Sequence, residues 1–203
     1  MKQLERIDQG VGNASLLPKR LNLGCGYDRR DGWLNIDCFE ECSPDLVIDL
    51  ERFPWQLPSN HFDHVLLKHV LEHLGSDFDV LASVLRELYR VTRADALVEI
   101  YVPHHRHDNF WSDPTHVRAF TPLTFQMLSR KECDDWVRRK VGNTLLAHRI
   151  GVDFDIVNIA YMYDPKWLKK QKDGELTTSE LREIAQTHWG VIRELRVNLK
   201  VVK

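Results

Sequence analysis

The sequence has no apolar run long enough to cross a membrane, no internal repeat and no glycine- or serine-rich linker. A membrane-spanning helix needs about 18 or more consecutive apolar residues, so membrane insertion is not expected. The amino-terminal residues 1–20 are charged and lack the apolar core of a signal peptide. We therefore expect a cytoplasmic protein with one domain over residues 1–203, in which residues 1–17 form a loosely attached lead-in.

The chain also lacks a large excess of charge of one sign and closely spaced pairs of cysteines. The chain has 28 basic and 30 acidic side chains and a formal net charge of -2, which gives no broad electrostatic reason to bind nucleic acid. The four cysteines, at positions 25, 38, 42 and 133, lack the CxxC spacing of a zinc site and suit reduced thiols inside a cell. We therefore predict no bound metal and no nucleic-acid partner, while the sequence leaves the oligomeric state open.

The chain also lacks the third glycine of the dinucleotide-binding motif. One strand-like run ends in Gly24-Cys25-Gly26, and the next ends in Asp37. Glycines at a strand end let the backbone approach a ligand closely, and an acid at the end of the next strand can accept both hydroxyls of a ribose. Position 29 holds Arg29 instead of the third glycine of the dinucleotide-binding motif. The pattern favours an adenosyl ligand without phosphates, although a simple turn with a solvated Asp37 would have the same sequence.

Strand and helix signals alternate along the rest of the chain. Strand candidates are residues 19–23, 33–36, 45–49, 62–67, 95–102, 152–162 and 191–202. The 62–67 and 95–102 runs are apolar enough for the centre of a parallel sheet, whereas the last run alternates late and suits an edge or hairpin strand. Helices are predicted over residues 77–92, 178–188 and, as a short piece, 123–128.

Five short segments together point to a protein family because of the order in which they occur. They are residues 21–26, Asp37, 49–50, 53–63 and 69–74. In this order they resemble class I S-adenosylmethionine-dependent methyltransferases, over about residues 19 to 125. The resemblance implies S-adenosylmethionine as the cofactor, with Asp37 on the ribose. The cofactor-binding residues that it implies are Asn22, Gly24, Cys25, Gly26, Asp37, Asp49, Leu50 and His69.

The resemblance also implies the fold. It predicts an α/β, Rossmann-like, mainly parallel seven-stranded sheet with an antiparallel carboxyl-terminal hairpin, and the alternation of strands and helices supports the core of that sheet independently. Only six residues separate Gly26 from Trp33, which is too few for a full crossover helix. We therefore expect the first crossover to be shortened to a loop.

Histidines follow two of the central strand candidates. His69-x-x-Glu72-His73 spells the metal signature H-x-x-E-H, but it directly follows a strand. The resemblance instead places His69 beside the methyl donor and predicts that Glu72 and His73 begin the next helix. The second group, His104-His105, opens a long polar loop at the sheet edge where an open α/β sheet binds its substrate.

Histidine can take a proton near neutral pH, so this loop is the predicted source of a catalytic base. The predicted catalytic residues, in order of preference, are His105, His104 and His69, with His69 lining the donor side. The predicted substrate-binding residues are Trp111, Asp113 and His116. Residues 103–150 are expected to form a substrate-side loop and insertion, with Trp136 and the charged stretch 131–140 covering the site.

Residues 113–122 resemble a segment of methyltransferases associated with polysaccharide and cell-surface glycan biosynthesis. The predicted reaction is therefore methyl transfer to an oxygen of a sugar or another small polar acceptor, with nitrogen as the next choice. Two alternatives stay open at this point. One is a catalytically silent adenosyl-binding or assembly protein, and the other is a metal-dependent hydrolase that uses the His104–His116 loop.

Overall fold

The structure is a computed structural model that describes residues 16–203. Its strands are β1 (Arg20–Leu23), β2 (Leu34–Asp37), β3 (Leu46–Val47), β4 (Phe62–Lys68), β5 (Thr92–Pro103), β6 (Phe154–Tyr163) and β7 (Ile192–Val201). They form one sheet in the order β3-β2-β1-β4-β5-β7-β6. The first five strands are parallel, and β7 is antiparallel to both β5 and β6. The predicted Rossmann-like, mainly parallel sheet is confirmed.

Seven α-helices accompany the sheet within residues 16–203. They are α1 (Phe78–Val91), α2 (Asp108–Trp111), α3 (Pro122–Gln126), α4 (Arg130–Arg139), α5 (Leu146–Ile150), α6 (Pro165–Lys172) and α7 (Thr178–Thr187). Two 3₁₀ turns lie at Glu40–Cys42 and Leu71–His73. None of the helices in this part of the chain combines the length and the apolar character needed to cross a membrane.

The core lies between α1 and the central strands. Leu81, Leu85 and Leu88 recur at three-to-four spacing on one face of α1, and they are buried in the same cluster as Val65 and Leu67 of β4. Full burial of such a side chain contributes about 1.5–3 kcal/mol. Asp77 caps α1 by accepting a hydrogen bond from the N–H of Asp79. The helix therefore begins five residues after His73, so the prediction that Glu72 and His73 begin it is wrong.

A polar network replaces the first crossover helix. Residues 24–33 contain turns and no helix, as the short spacing predicted. The buried side chain of Asn35 accepts hydrogen bonds from the backbone N–H of Arg30 at 2.8 Å and from Nδ2 of Asn22 at 3.1 Å. Its own Nδ2 donates to the carbonyl of Arg30 and to the carboxylate of Asp45. Asn35 thus supplies to the loop the hydrogen bonds that a helix would supply internally.

The carboxyl-terminal part of the sheet is the predicted antiparallel hairpin. Strand β7 pairs antiparallel with β6 and lies between β5 and β6, so β6 is the edge strand. The charged stretch 131–140 is the helix α4, whose N-cap Ser129 donates to Asp155 at 2.6 Å. Asp155 is near the start of β6, at the end of the sheet opposite to the carboxyl ends of β1 and β2. Helix α4 is therefore anchored at that opposite end, whereas the sequence analysis expected residues 131–140 to cover the site.

Candidate active site

Four parallel strands end on one edge of the sheet and bring the predicted residues together. Gly24 follows β1, Asp37 ends β2, His69 follows β4 and His104 follows β5. The backbone N–H of His69 donates to the carbonyl of Tyr101 in β5 at 2.9 Å, so the ends of the two central strands lie side by side. The carboxyl edge of an open α/β sheet is where such folds bind ligands.

The Gly24–Gly26 turn leaves room for a ligand. Gly24 and Gly26 have φ values of 63° and 49°, which is the left-handed region where side chains cause strain. A Cβ atom on Gly24 would lie 2.9 Å from Cγ1 of Val70 and still closer to its Cγ2. A Cβ atom on Gly26 would have no atom of the described residues within 4 Å. Gly24 is therefore required by packing, whereas Gly26 borders open space.

Asp37 holds this turn in place. Its Oδ2 accepts a hydrogen bond from the N–H of Gly26 at 2.8 Å, and its Oδ1 accepts one from the N–H of Phe39 at 3.0 Å. The side chain is only 7% exposed. A carboxylate oxygen can accept two hydrogen bonds, so each oxygen keeps one acceptor site for a ribose hydroxyl.

The other predicted cofactor-binding residues differ in how deeply they are buried. Asn22 is buried, and its Nδ2 donates to the carbonyl of Asp28 and to Asn35, so its amide protons stabilise the loop. Asp49 is exposed, whereas Leu50 is buried in the hydrophobic core. Burial raises the pKa of the Cys25 thiol to about 11, with a further contribution from nearby Asp37, so this thiol stays protonated at neutral pH.

His69 lies between two buried carboxylates. Its Nε2 is 2.8 Å from Oε2 of Glu194, and its Nδ1 is 3.4 Å from Oε1 of Glu72. The neighbouring carboxylates, Glu194 first and then Glu72, raise the pKa of His69 to about 9, although burial opposes the shift. Burial favours a higher pKa for Glu194, but hydrogen bonds from His69 and Arg196 outweigh it and lower the pKa to about 2. At neutral pH His69 is therefore a cation, which has no lone pair to accept a proton.

His104 and His105 are neighbours with different hydrogen bonding. The Nδ1 atom of His104 accepts the N–H of Arg106 at 3.2 Å, so the proton of the neutral ring lies on Nε2. Burial, and then the adjacent charges of His105 and Arg106, lower the pKa of His104 to about 4. Burial and Arg106 also lower the pKa of His105, whose Nδ1 is buried and has no hydrogen-bond partner among residues 16–203. His105 as a residue is only partly buried, whereas His104 is buried, so His105 is the more accessible of the two to a ligand.

The loop that carries these histidines is tied to the helices of the β6–β7 link. His107 caps α2 through Nδ1, and its Nε2 lies 3.2 Å from Asp164. The guanidinium of Arg106 donates to the carbonyls of Ala185 and Gln186 in the last turn of α7. A cation is favourable at the carboxyl end of a helix. The sequence analysis missed this role of Arg106, because the two elements are about 80 residues apart and no local pattern links them.

Two exposed tryptophans flank the loop. Trp111 is 64% exposed and its indole N–H donates to the carbonyl of His105 at 2.9 Å. Trp189 is 52% exposed and donates to Asp108 at 2.9 Å. Phe110 and Phe120 are buried under the loop. The structure therefore leaves Trp111 available to a ligand and adds Trp189, which the sequence analysis did not select.

Asp113 and His116 order the rest of the loop. Asp113 accepts the backbone N–H and the hydroxyl of Thr115, and these hydrogen bonds lower the pKa of its carboxyl. The hydroxyl of Thr115 in turn lies 2.9 Å from Nδ1 of His73. The Nδ1 atom of His116 lies 2.6 Å from the carbonyl of Phe110. Both predicted residues thus connect the loop after β5 to itself or to the turn after β4.

Residues 28–100 match the sequence profile of the family described as Methyltransferase domain. The matched segment begins in the loop after Gly26 and extends into β5, so it contains β2, β3, β4 and α1. A search of curated protein sequences gave no match.

Solved structures share the fold over almost the whole chain. An S-adenosylmethionine-dependent methyltransferase from Archaeoglobus fulgidus has 18% identity and a TM-score of 0.60, covering 98% of this chain and 91% of that chain. One from Mesorhizobium loti has 18% identity and a TM-score of 0.50, covering 96% and 99%. The [4+2]-cyclase SpnF has 11% identity and a TM-score of 0.53, covering 99% and 81%. At these identities the likeness establishes the fold.

The profile match over residues 28–100 and the shared fold make this chain similar to methyltransferases that use S-adenosylmethionine as their cofactor. The residues at the edge fit this cofactor. Open space lies beside Gly26, and the buried carboxylate of Asp37 keeps an acceptor site on each oxygen. Close approach to the backbone and an acid for the ribose hydroxyls are features of nucleoside recognition at this edge of α/β sheets.

Proposed function

We propose that the protein transfers a methyl group to a hydroxyl oxygen of a sugar or another small polar acceptor. The observation that carries this proposal is the environment of His105. It is the partly exposed histidine beside the end of β5, its buried Nδ1 has no hydrogen-bond partner among the residues described, and its carbonyl accepts the indole N–H of exposed Trp111. A hydroxyl must lose its proton as it is methylated, and a neutral imidazole can take that proton.

In this proposal, the residues at the carboxyl edge of the sheet have different roles. S-adenosylmethionine, when bound, supplies an electrophilic methyl group on its sulfonium. Gly26 and Asp37 hold the nucleoside, and His69 lines the donor side as a cation balanced by Glu194 and Glu72. His105 takes the proton of the acceptor hydroxyl on its imidazole. Alignment of donor and acceptor supplies most of the remaining rate enhancement.

The exposed tryptophans support a sugar as the acceptor. The flat, apolar faces of Trp111 and Trp189 suit the C–H surface of a sugar ring, and both indoles are held by hydrogen bonds to the His104–His116 loop. The resemblance of residues 113–122 to glycan-associated methyltransferases agrees with this choice. We further propose a role in polysaccharide biosynthesis and a cytoplasmic location, which the four free thiols support.

The experiment is an acceptor screen with purified full-length protein. Nucleotide sugars and glycan fragments are incubated with S-adenosylmethionine, and release of S-adenosylhomocysteine is measured, with mass spectrometry of the product. With an active acceptor, His105→Ala should lower turnover by about 10²–10⁴-fold while the affinity for S-adenosylhomocysteine stays the same. His148→Ala is the matched control, because His148 pairs with Asp134 on the surface.

Each result has a defined meaning. Unchanged turnover in His105→Ala would refute the assignment of the base. Methylation confined to a nitrogen would refute the oxygen acceptor. Tight binding of S-adenosylhomocysteine without methylation of any compound in the panel would favour the catalytically silent alternative.

A further inference from the structure

Glu72, His73 and His116 form a cluster beside the His104–His116 loop. His73 ends the 3₁₀ turn after β4, and His116 lies in the loop after β5. Each of the three residues offers one potential ligand atom, and these atoms lie within 4.8 Å of one another. The two imidazole rings are in edge contact, with centroids 4.6 Å apart. Glu72 is buried, whereas both histidines are partly exposed, so the cluster is accessible from solvent.

The carboxylate of Glu72 is the first unusual feature of this cluster. Its side chain is 1% exposed, and neither oxygen has a hydrogen-bond partner within residues 16–203. Its closest cationic neighbour, the Nδ1 atom of His69 at 3.4 Å, lies outside hydrogen-bond geometry. An ionised carboxylate that is buried without hydrogen bonds costs several kcal/mol or more. The ion pair with His69 offsets part of this cost, and both oxygens of Glu72 still lack hydrogen bonds, which a carboxylate bound to a metal would not need.

The tautomer of His116 is fixed by its surroundings. Its Nδ1 atom lies 2.6 Å from the carbonyl oxygen of Phe110, and a carbonyl can only accept a hydrogen bond. Nδ1 therefore carries the proton, and in the neutral ring Nε2 holds a lone pair. Metal-binding histidines usually donate their second ring N–H to a carbonyl or a carboxylate in this way.

The tautomer of His73 follows from a chain of two hydrogen bonds. The hydroxyl of Thr115 donates its single hydrogen to Oδ1 of Asp113 at 2.6 Å. Its contact of 2.9 Å with Nδ1 of His73 must therefore be a bond that the hydroxyl accepts. His73 thus also carries its proton on Nδ1 and presents the lone pair of Nε2.

We propose that Glu72, His73 and His116 bind one divalent cation of the class that prefers imidazole and carboxylate ligands, such as Zn²⁺ or Co²⁺. Two imidazoles with one carboxylate and an open fourth position are a common ligand set for these ions. This proposal differs from the sequence prediction, which assigned no metal. It does not depend on which acceptor is methylated.

The distances are compatible with binding after a small adjustment. Ligand atoms bonded at about 2.0–2.2 Å to a tetrahedral ion lie roughly 3.4 Å apart, so separations of up to 4.8 Å have to shorten by up to about 1.4 Å. His73 and His116 are partly exposed and can make this movement by side-chain rotation. The imidazolium of His69 opposes a cation here, and Glu194, 2.8 Å from its Nε2, offsets that charge.

The test uses full-length protein purified without an affinity tag and treated with a chelator. Zn²⁺ is titrated by calorimetry, and Co²⁺ is added for its visible absorption, which reports imidazole and carboxylate ligation directly. We expect one ion per chain, and a rise in the unfolding temperature with Zn²⁺ because the ion binds the folded state.

Variants separate the ligands from the fold. His73→Ala, His116→Ala and Glu72→Gln should each weaken Zn²⁺ binding at least tenfold and abolish the Co²⁺ absorption. Thr115→Val removes the acceptor for Nδ1 of His73 and should weaken binding about 10–100-fold, as loss of such a supporting bond typically does. His148→Ala removes a surface histidine paired with Asp134 and should bind like wild type.

Wild-type protein without saturable Zn²⁺ or Co²⁺ binding would refute the site. So would retained binding in folded His116→Ala, which removes a partly exposed side chain and keeps the core intact. If Glu72→Gln does not fold, the two histidine variants and Thr115→Val decide the question. Binding of S-adenosylhomocysteine, measured in parallel, keeps failure of this proposal separate from failure of the proposed methyl transfer.

Discussion

Two parts of the carboxyl edge of the sheet satisfy their polar groups differently. We call residues 22–37 the donor side, and the His104–His116 loop together with Trp189 the acceptor side. On the donor side the side chains of Asn22, Asn35 and Asp37 bond to the backbone of their own loop. On the acceptor side, the buried Nδ1 of His105 and the buried carboxylate of the neighbouring Glu72 have no hydrogen-bond partner among residues 16–203, while Trp111 is exposed.

This difference has a physical reason. A cofactor that is always the same can be recognised by a fixed backbone shape, which polar side chains hold from behind. An acceptor and its proton need chemical groups that are free to form new bonds, and unpartnered groups destabilise the fold unless a ligand compensates for them. We therefore expect substitutions on the donor side to affect stability and cofactor affinity, and substitutions on the acceptor side to affect catalysis.

The largest effect on the donor side should come from Gly24→Ala. The positive φ costs about 1–3 kcal/mol for a residue other than glycine, and the overlap with Val70 adds about 1–3 kcal/mol. Gly26→Ala carries the strain without the overlap, so it should lose less stability. Its Cβ atom enters the open space, so it should still lose affinity for S-adenosylhomocysteine. Urea unfolding and calorimetry measure both quantities, and equal stability of the two variants would contradict the packing argument.

Asn35→Ala should be next in size. It removes the hydrogen bonds that hold the loop of residues 24–33 and leaves buried partners unsatisfied, at a cost of about 2–4 kcal/mol. Cofactor affinity should fall together with stability, because the same loop carries Gly26. Asn158→Ala, at an exposed position of β6, is the matched control and should change neither quantity. Normal cofactor affinity in Asn35→Ala would show that the loop holds its shape without this network.

Trp111→Ala tests the acceptor side with a smaller effect. Loss of a stacking surface should raise the KM for a sugar acceptor about fivefold, equivalent to about 1 kcal/mol, with little change in kcat, stability or cofactor affinity. Steady-state kinetics with the acceptor found in the screen measure this, and Trp189→Ala is the parallel variant. A loss of stability comparable to that of Asn35→Ala would mean that Trp111 stabilises the fold. It would contradict the expectation that substitutions on the acceptor side affect catalysis only.

The last prediction concerns acid stability. The pKa of His104 falls from 6.5 to about 4 on folding, so between these values the unfolded chain binds more protons. The contribution of this neutral histidine is fully present above pH 6.5 and is lost as the pH falls towards 4. His104→Gln should therefore lose less stability than wild type between pH 7.5 and 4.5 in urea unfolding. A His104→Gln profile parallel to that of wild type would contradict this.

Much of this site was predictable because its signals are local. Gly24-Cys25-Gly26 and Asp37 lie at the ends of consecutive strands, and parallel strands must bring those ends to one edge. The short spacing to Trp33 predicted the missing crossover helix, since a helix cannot form in six residues and also span the sheet. The spacing of apolar residues in α1 predicted its buried face.

Tertiary structure alone decided the protonation and pairing of the histidines. His69 is a cation because Glu194, which is 125 positions away in sequence, meets it across β5, and His104 is neutral because it is buried. The pairing of His73 with Thr115, and the unsatisfied Glu72 beside it, likewise depend on two loops that meet in space. Sequence determines which groups are present on the edge, but a pKa depends on burial and on charges within a few ångströms, which only the folded chain brings together.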